Sequence, residues 1–168
     1  MTLLELNRLD RTQFVAALAH IYEHSPWIPE RAWDRRPFDA LDTLRSAMAD
    51  VVASAGKERQ LALIRAHPEL ASKATLRQDL TADSNAEQSG AGLTQCSTEE
   101  YARLQDLNAR YNATFGFPFI LAVKGYDRRG VIAEFARRID NEPAIEFAEC
   151  LRQIEKIARL RLEALVEA

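Results

Sequence analysis

Two cysteines in 168 residues, Cys96 and Cys150, are too few for a disulfide scaffold. Together with three histidines they make no zinc-finger spacing, so no metal site is expected and two reduced thiols are. No excess of positive charge is present: 22 Lys and Arg against 25 Asp and Glu give a net charge of −3. That leaves no bulk field to attract nucleic acid or an anionic membrane surface. No window approaches the roughly 18 uncharged apolar residues of a membrane span. Glu5 and Asp10 stand where a secretory signal would be basic and then apolar. The chain ends Leu165-Val166-Glu167-Ala168, without a peroxisomal tripeptide. These absences point to a cytoplasmic protein. No glycine-rich phosphate loop or other cofactor motif occurs, and none of the internal repeats, low-complexity tracts or linkers that would divide the chain.

What is present suits a folded globular protein. The hydrophobic fraction is 47% and the charged fraction 28%. The apolar residues recur at helical spacing almost throughout, which predicts an all-α, single-domain bundle of about seven to nine helices over residues 1–168. Asp10 is the expected N-cap of a helix from Arg11 to about Tyr22, broken by Ser25-Pro26 and Ile28-Pro29. Asp39 is expected to cap a helix to about Ala55, ended by Gly56, and Lys57 to about Ala66 forms the next. Between Pro68 and Gly92 periodicity weakens. Thr98 is expected to open a helix carrying Tyr101, Leu104, Leu107, Tyr111 and Phe115. Helices follow over Val131–Ile139 and from Pro143 to about Val166.

Four places depart from amphipathic filling. His67 precedes Pro68, so its helix should end there, at a dipole terminus that favours imidazolium while apolar neighbours oppose it. Opposed effects of this kind suit a histidine to proton transfer, though a capping histidine would look the same. Ser84-Asn85-Ala86-Glu87-Gln88 reads first as a capping box, S-x-x-E. Alternatively, Ser84, Glu87 and Gln88 share one face of one turn whose free N–H groups hold a polar or anionic ligand. Phe119-Ile120-Leu121-Ala122-Val123 is apolar but irregular after Gly116 and Pro118, which suits either core packing or a pocket wall with exposed backbone polar groups. Finally, the stripe Phe147, Leu151, Ile154, Ala158 continues to Arg161, which requires an anionic partner, either a protein carboxylate or a substrate carboxylate. A Leu162 on the stripe would instead leave Arg161 at the solvent boundary.

Taken in order, these places resemble one family. Ala66-His67-Pro68-Glu69-Leu70 resembles its H-P motif, and Ser84 to Leu93 its S-x-x-E-Q-x-x-A-G-L motif. Leu107-Asn108-x-x-Tyr111 running into Phe115–Ile120 resembles its third motif, and Ile157–Leu162 its C-terminal helix. Leu6-Asn7-x-Leu9-Asp10 and Phe14 fit its opening. The family is 2-oxo-4-hydroxy-4-carboxy-5-ureidoimidazoline (OHCU) decarboxylase, and the resemblance spans the chain.

The resemblance implies an all-helical, homodimeric carboxy-lyase without a cofactor, converting OHCU to (S)-allantoin and carbon dioxide as the third step of urate degradation. It implies that His67 is catalytic, with Glu87 beside it. Pro68, Ser84, Asn85, Ala86, Glu87, Gln88, Phe119, Ile120, Leu121, Ala122, Val123 and Arg161 then line the substrate site. Two other readings compete: a non-catalytic helical interaction module, and a related enzyme acting on another ureido compound.

Overall fold

Six helices begin where a side-chain oxygen meets the unpaired N–H groups of a first turn. The caps are Thr2, Asp10, Ser72, Thr81, Ser97 and Asp127. The computed structural model describes residues 1–167. The helices are α1 (Leu3–Arg8), α2 (Arg11–Leu18), α3 (Trp27–Ala32), α4 (Leu41–Ala53), α5 (Lys57–Ala66), α6 (Lys73–Arg77), α7 (Ala82–Gly90), α8 (Thr98–Phe115), α9 (Arg128–Arg138) and α10 (Pro143–Leu165), with a 3-10 turn at Trp33–Arg35. Among the described residues there is no strand, only an isolated bridge between Thr2 and Glu167. The protein is all-α. No helix among the described residues is long and apolar enough to cross a membrane.

Seven helices have eight residues or more, within the expected seven to nine; α1, α3 and α6 are shorter pieces. Several boundaries differ from expectation for local reasons. The first long helix stops at Leu18, well before Tyr22, and gives way to turns leading to His24 at φ +47°. Pro26 and Pro29, expected only as breaks after that helix, start α3. Pro26 is its N-cap and Pro29 lies in its first turn, where no N–H donor is needed. Asp39 does not cap α4. Ala40 does, its N–H donating to the Thr43 hydroxyl at 3.1 Å. Ser97, not Thr98, caps α8, in a reciprocal capping box with Glu100.

Residues cluster into two compact units, 1–66 with 155 onward and 67–154, and α10 supplies residues to both. In the first unit Phe14 packs edge-on to Trp33 at 5.3 Å and stacks on Phe38 at 6.3 Å. Asn7 holds that corner by a reciprocal pair: Nδ2 donates to the Phe38 carbonyl and Oδ1 accepts from the Phe38 N–H, both at 2.9 Å. The second unit is organised around Tyr111 on α8, whose ring meets Phe115, Phe117, Phe119 and Phe135. Cys96 and Cys150 are both free thiols.

Candidate active site

His67 follows the last residue of α5, as Pro68 dictates, and is 7% exposed. The loop behind it, Pro68 to Ser72, has no helix or sheet to satisfy its backbone. Three side-chain amides do so instead, and a fourth holds the Glu69 side chain. Gln88 Oε1 accepts from the Ala71 N–H at 3.0 Å, and Gln88 Nε2 donates to the Glu69 carbonyl at 3.3 Å. Gln105 Nε2 donates to the Ala71 carbonyl and Asn108 Nδ2 to the Leu70 carbonyl, each at 2.9 Å. Asn112 Nδ2 donates to Glu69 Oε1 at 2.6 Å. Ala71 sits at φ +52°, which an alanine adopts at a cost of about 1–2 kcal/mol. Such strain persists only where the surroundings over-determine it, and bonds to both peptide groups of Ala71 do so.

Ser84 is not the N-cap of α7. Thr81 is, and the Ser84 N–H donates to its hydroxyl at 3.3 Å. The Ser84–Glu87 capping box is therefore overturned, along with the idea that free N–H groups at 84–88 hold an anion. The helix begins three residues earlier and absorbs those groups. Ser84 and Gln88 are buried on one face with half-buried Glu87 beside them in sequence register. Asn85 turns to the preceding loop, donating to the Gln78 carbonyl at 2.8 Å and the Leu80 carbonyl at 3.1 Å. Ala86 is exposed. Gln88 Oε1 also accepts from the Thr75 hydroxyl at 2.8 Å, so its oxygen is fully engaged in holding the loop beside His67.

Phe119 to Val123 forms neither helix nor strand. The Ile120 carbonyl accepts from Arg138 Nη1 at 2.6 Å, and the Ala122 N–H donates to Gln153 Oε1 at 3.0 Å. Phe119 stacks on Phe135 at 3.9 Å and meets the edge of Tyr111 at 5.5 Å. One helix, α8, thus supports two of the candidate segments: Asn108 and Asn112 hold the loop after His67, and Tyr111 packs on Phe119. The same helix carries the family's third motif.

Arg161 belongs to the first unit. Nη1 donates to Glu23 Oε2 at 2.8 Å and to the His20 carbonyl at 3.0 Å, and both side chains of the pair are buried. Its anionic partner here is a protein carboxylate, and Leu162 is buried as well.

A second buried ion pair, Arg138 with Glu146, escaped the sequence reading. Glu146 Oε1 accepts from Arg138 Nε at 2.8 Å and from the Tyr111 hydroxyl at 2.6 Å. Burial disfavours the Arg138 charge, but the hydrogen bonds and charge of Glu146 outweigh it and raise the pKa. Burial pushes the Cys150 thiol and the Tyr111 hydroxyl up, so both stay protonated. The signal was available: Val131, Phe135 and Arg138 are spaced by four and three, placing an arginine on an apolar stripe as at Arg161. Among the described residues no group of three or more His, Cys, Asp or Glu is placed to hold a metal ion.

The OHCU decarboxylase family model matches residues 7–163. The chain belongs to the OHCU decarboxylase family. A 2-oxo-4-hydroxy-4-carboxy-5-ureidoimidazoline decarboxylase of Haloferax volcanii is 45% identical over 162 residues, covering 96% of this chain and 94% of that protein. The crystal structure of an (S)-allantoin synthase superposes with a TM-score of 0.82 at 27% identity, over 99% of this chain. The chain spans about half of that synthase, 54%. A crystal structure of OHCU decarboxylase in the presence of (S)-allantoin superposes with a TM-score of 0.72 over 89% of this chain and 96% of that one. At 20% identity this last likeness concerns the fold. Within the family, the buried His67 loop and the α7 face coincide with the first two motifs. Arg138, Glu146, Gln105 and Gln153 lie outside all four.

Proposed function

We propose that this member of the family decarboxylates OHCU to (S)-allantoin and carbon dioxide in urate degradation, and that residues 1–168 act as one catalytic domain. The observation that carries the reading is a buried histidine whose loop is held by four side-chain amides, in a chain that matches the family from residue 7 to residue 163.

OHCU bears a carboxylate on a carbon that also carries a hydroxyl and adjoins a C=N. The C–carboxylate bond breaks, its electron pair moves into that C=N, and carbon dioxide leaves. Protonation on one face then gives the S centre. The substrate supplies its own electron sink, so the reaction is read as cofactor-independent. What the protein must supply is orientation, polarisation and a proton path. His67 is the general acid/base at the hydroxyl and carboxylate end, and rigidity of its loop fixes the imidazole's approach. Glu87 accepts from ring or ureido N–H groups. Ser84 and the Phe119–Val123 backbone read the remaining amide edge, while Pro68 and Gln88 shape the wall beside His67. Asn85 and Ala86 belong to the same helical turn and place Ser84 and Glu87. Arg161 is assigned as an oxygen anchor on the motif correspondence alone. The enzyme is further read as a cytoplasmic homodimer, for which light scattering should give twice 19.0 kDa.

The test is product chirality. OHCU is generated from urate by a urate oxidase and a 5-hydroxyisourate hydrolase, the protein is added, and circular dichroism is followed. Rapid build-up of optically active (S)-allantoin is expected. Racemic allantoin at the uncatalysed rate overturns the reading. With activity in hand, His67→Asn should lower kcat by about a hundredfold or more while allantoin still binds. Unchanged kcat removes His67 from the chemistry.

A further inference from the structure

Arg138 lies outside every motif that carries the family resemblance, yet its side chain is 0% exposed. Its guanidinium does two things at once. Nε and Nη2 donate to Glu146 Oε1, and Nη1 donates to the Ile120 carbonyl. Its flat face also covers the Phe119 ring, with Cζ 4.3 Å from the centroid. Glu146 is fixed in turn by the Tyr111 hydroxyl on one oxygen and by Asn141 Nδ2 at 3.1 Å on the other. A buried ion pair adds little net stability over an apolar replacement of equal volume. What a planar fork supplies is direction, here of one peptide carbonyl in an otherwise irregular segment.

The direction matters because of what it leaves. The Ile120 carbonyl and the Ala122 N–H, two residues apart, are both held by α9 and α10 side chains. That two-residue repeat is the pattern of extended backbone, in which the peptide groups of the intervening residue point to the opposite side. Leu121 is 4% exposed, and its N–H and carbonyl have no protein partner among the described residues. Buried backbone groups are paired in nearly all folded proteins, so a bound ligand is the natural partner. One peptide N–H and one C=O in succession complement a ureido or cyclic amide edge, which offers both an acceptor and a donor.

We propose that Arg138, clamped by Glu146, is a positioning residue for the decarboxylation: by fixing the Ile120 carbonyl it aims the Leu121 N–H and C=O at the amide edge of the substrate. The proposal rests on the reading of Phe119–Val123 as substrate-lining. Ile120 and Ala122 serve as the anchored residues, and Leu121 between them does the recognition.

The experiment compares wild type with Arg138→Lys and with the double variant Arg138→Met/Glu146→Met. Lysine keeps the charge beside Glu146, but a single ammonium cannot reproduce the fork on Glu146 and Ile120 together. The double variant removes both charges, so no buried charge is left unpaired. Folding is checked by far-ultraviolet circular dichroism. Steady-state kinetics on in situ OHCU, calorimetric binding of (S)-allantoin and the backbone amide resonances of wild type are then measured. In folded variants KM and the allantoin Kd should both rise about tenfold, the worth of one well-aimed hydrogen bond, with kcat changed by about twofold or less. In wild type, allantoin should shift the Leu121 amide resonance more than those of Ile120 and Ala122. A folded variant with wild-type KM and Kd and only a lowered Tm overturns the proposal, as does wild type without a selective Leu121 shift. Should both variants fail to fold, the absence of a selective Leu121 shift in wild type still overturns the proposal. Racemic product from wild type would instead be the failure of the decarboxylase reading, and it is seen before any variant is made.

Discussion

Replacing Arg161 by leucine separates its structural role from its proposed role in binding. Arg161 and Glu23 have 4% and 2% of their side-chain surface exposed, and their contact is 2.8 Å. Leucine restores the apolar volume but leaves the Glu23 carboxylate buried opposite it and removes one donor from the His20 carbonyl. Breaking a buried pair by deleting one partner costs about 3–5 kcal/mol. Taking about 4 kcal/mol, Tm in a chain of this size should fall by about 12 °C. Replacing Glu23 by leucine as well should bring stability back to within about 1 kcal/mol of wild type, because no charge is then stranded. The double-mutant cycle should therefore report a large coupling, because each single change removes one partner of the pair while the double removes both. Thermal melts of the four proteins give the cycle, and kinetics on the same samples give the function. An oxygen anchor predicts a raised KM in both Arg161 variants, including the restabilised double. A loss below about 1 kcal/mol in Arg161→Leu would refute the buried-pair reasoning. Full kcat/KM in the restabilised double would remove Arg161 from substrate binding.

Three further outcomes are expected. Because Thr81 rather than Ser84 caps α7, Glu87→Gln should leave Tm within about 2 °C of wild type but lower kcat/KM by about tenfold, the worth of a hydrogen bond to a charged group; intact activity would return Glu87 to a surface role. Gln88→Leu strands the Ala71 N–H and the Glu69 carbonyl, so Tm should fall by about 6 °C and kcat should drop as the His67 loop loosens; an unchanged Tm would show that the amide is not a strut. Burial holds the Glu155 carboxyl above its usual pKa, against the Tyr22 hydroxyl, and its Oε1 is buried without a partner. A carboxyl raised in the folded state contributes stability below its unfolded pKa and loses it as pH rises through the folded one. Glu155→Gln should thus raise Tm at pH 8 and leave it nearly unchanged at pH 4. A gain confined to acid pH would contradict the assignment.

Much of this protein was written locally. Helical periodicity and the cap at Asp10 depend on neighbours within one or two turns, so the all-α class, the span of α5 and that of α10 were legible without tertiary information, whereas the cap at Asp127 reads locally as a turn. Pro68 alone stops α5 at His67, because the clash it causes is with the residue before it. Expectation failed where two local signals were equivalent. Ser97 and Thr98 can both cap a helix, and Thr81 and Ser84 can too, so the choice fell to which helical register buried the better face. Choosing Thr81 buried Ser84 and Gln88 together. Which carboxylate meets a buried arginine lies further still from local reach. Arg161 pairs with Glu23 and Arg138 with Glu146, and neither partner is marked in sequence, because an ion pair across the fold requires only proximity. The sequence by itself determined the helices, the histidine at a helix end and the ordered motifs of the family, since these follow from short-range sterics and spacing. Only the tertiary structure decided that amides from α7 and α8 hold the loop behind His67, and that Arg138 turns the backbone at Ile120, since those bonds join residues separated by 17 to 43 and by 18 positions along the chain.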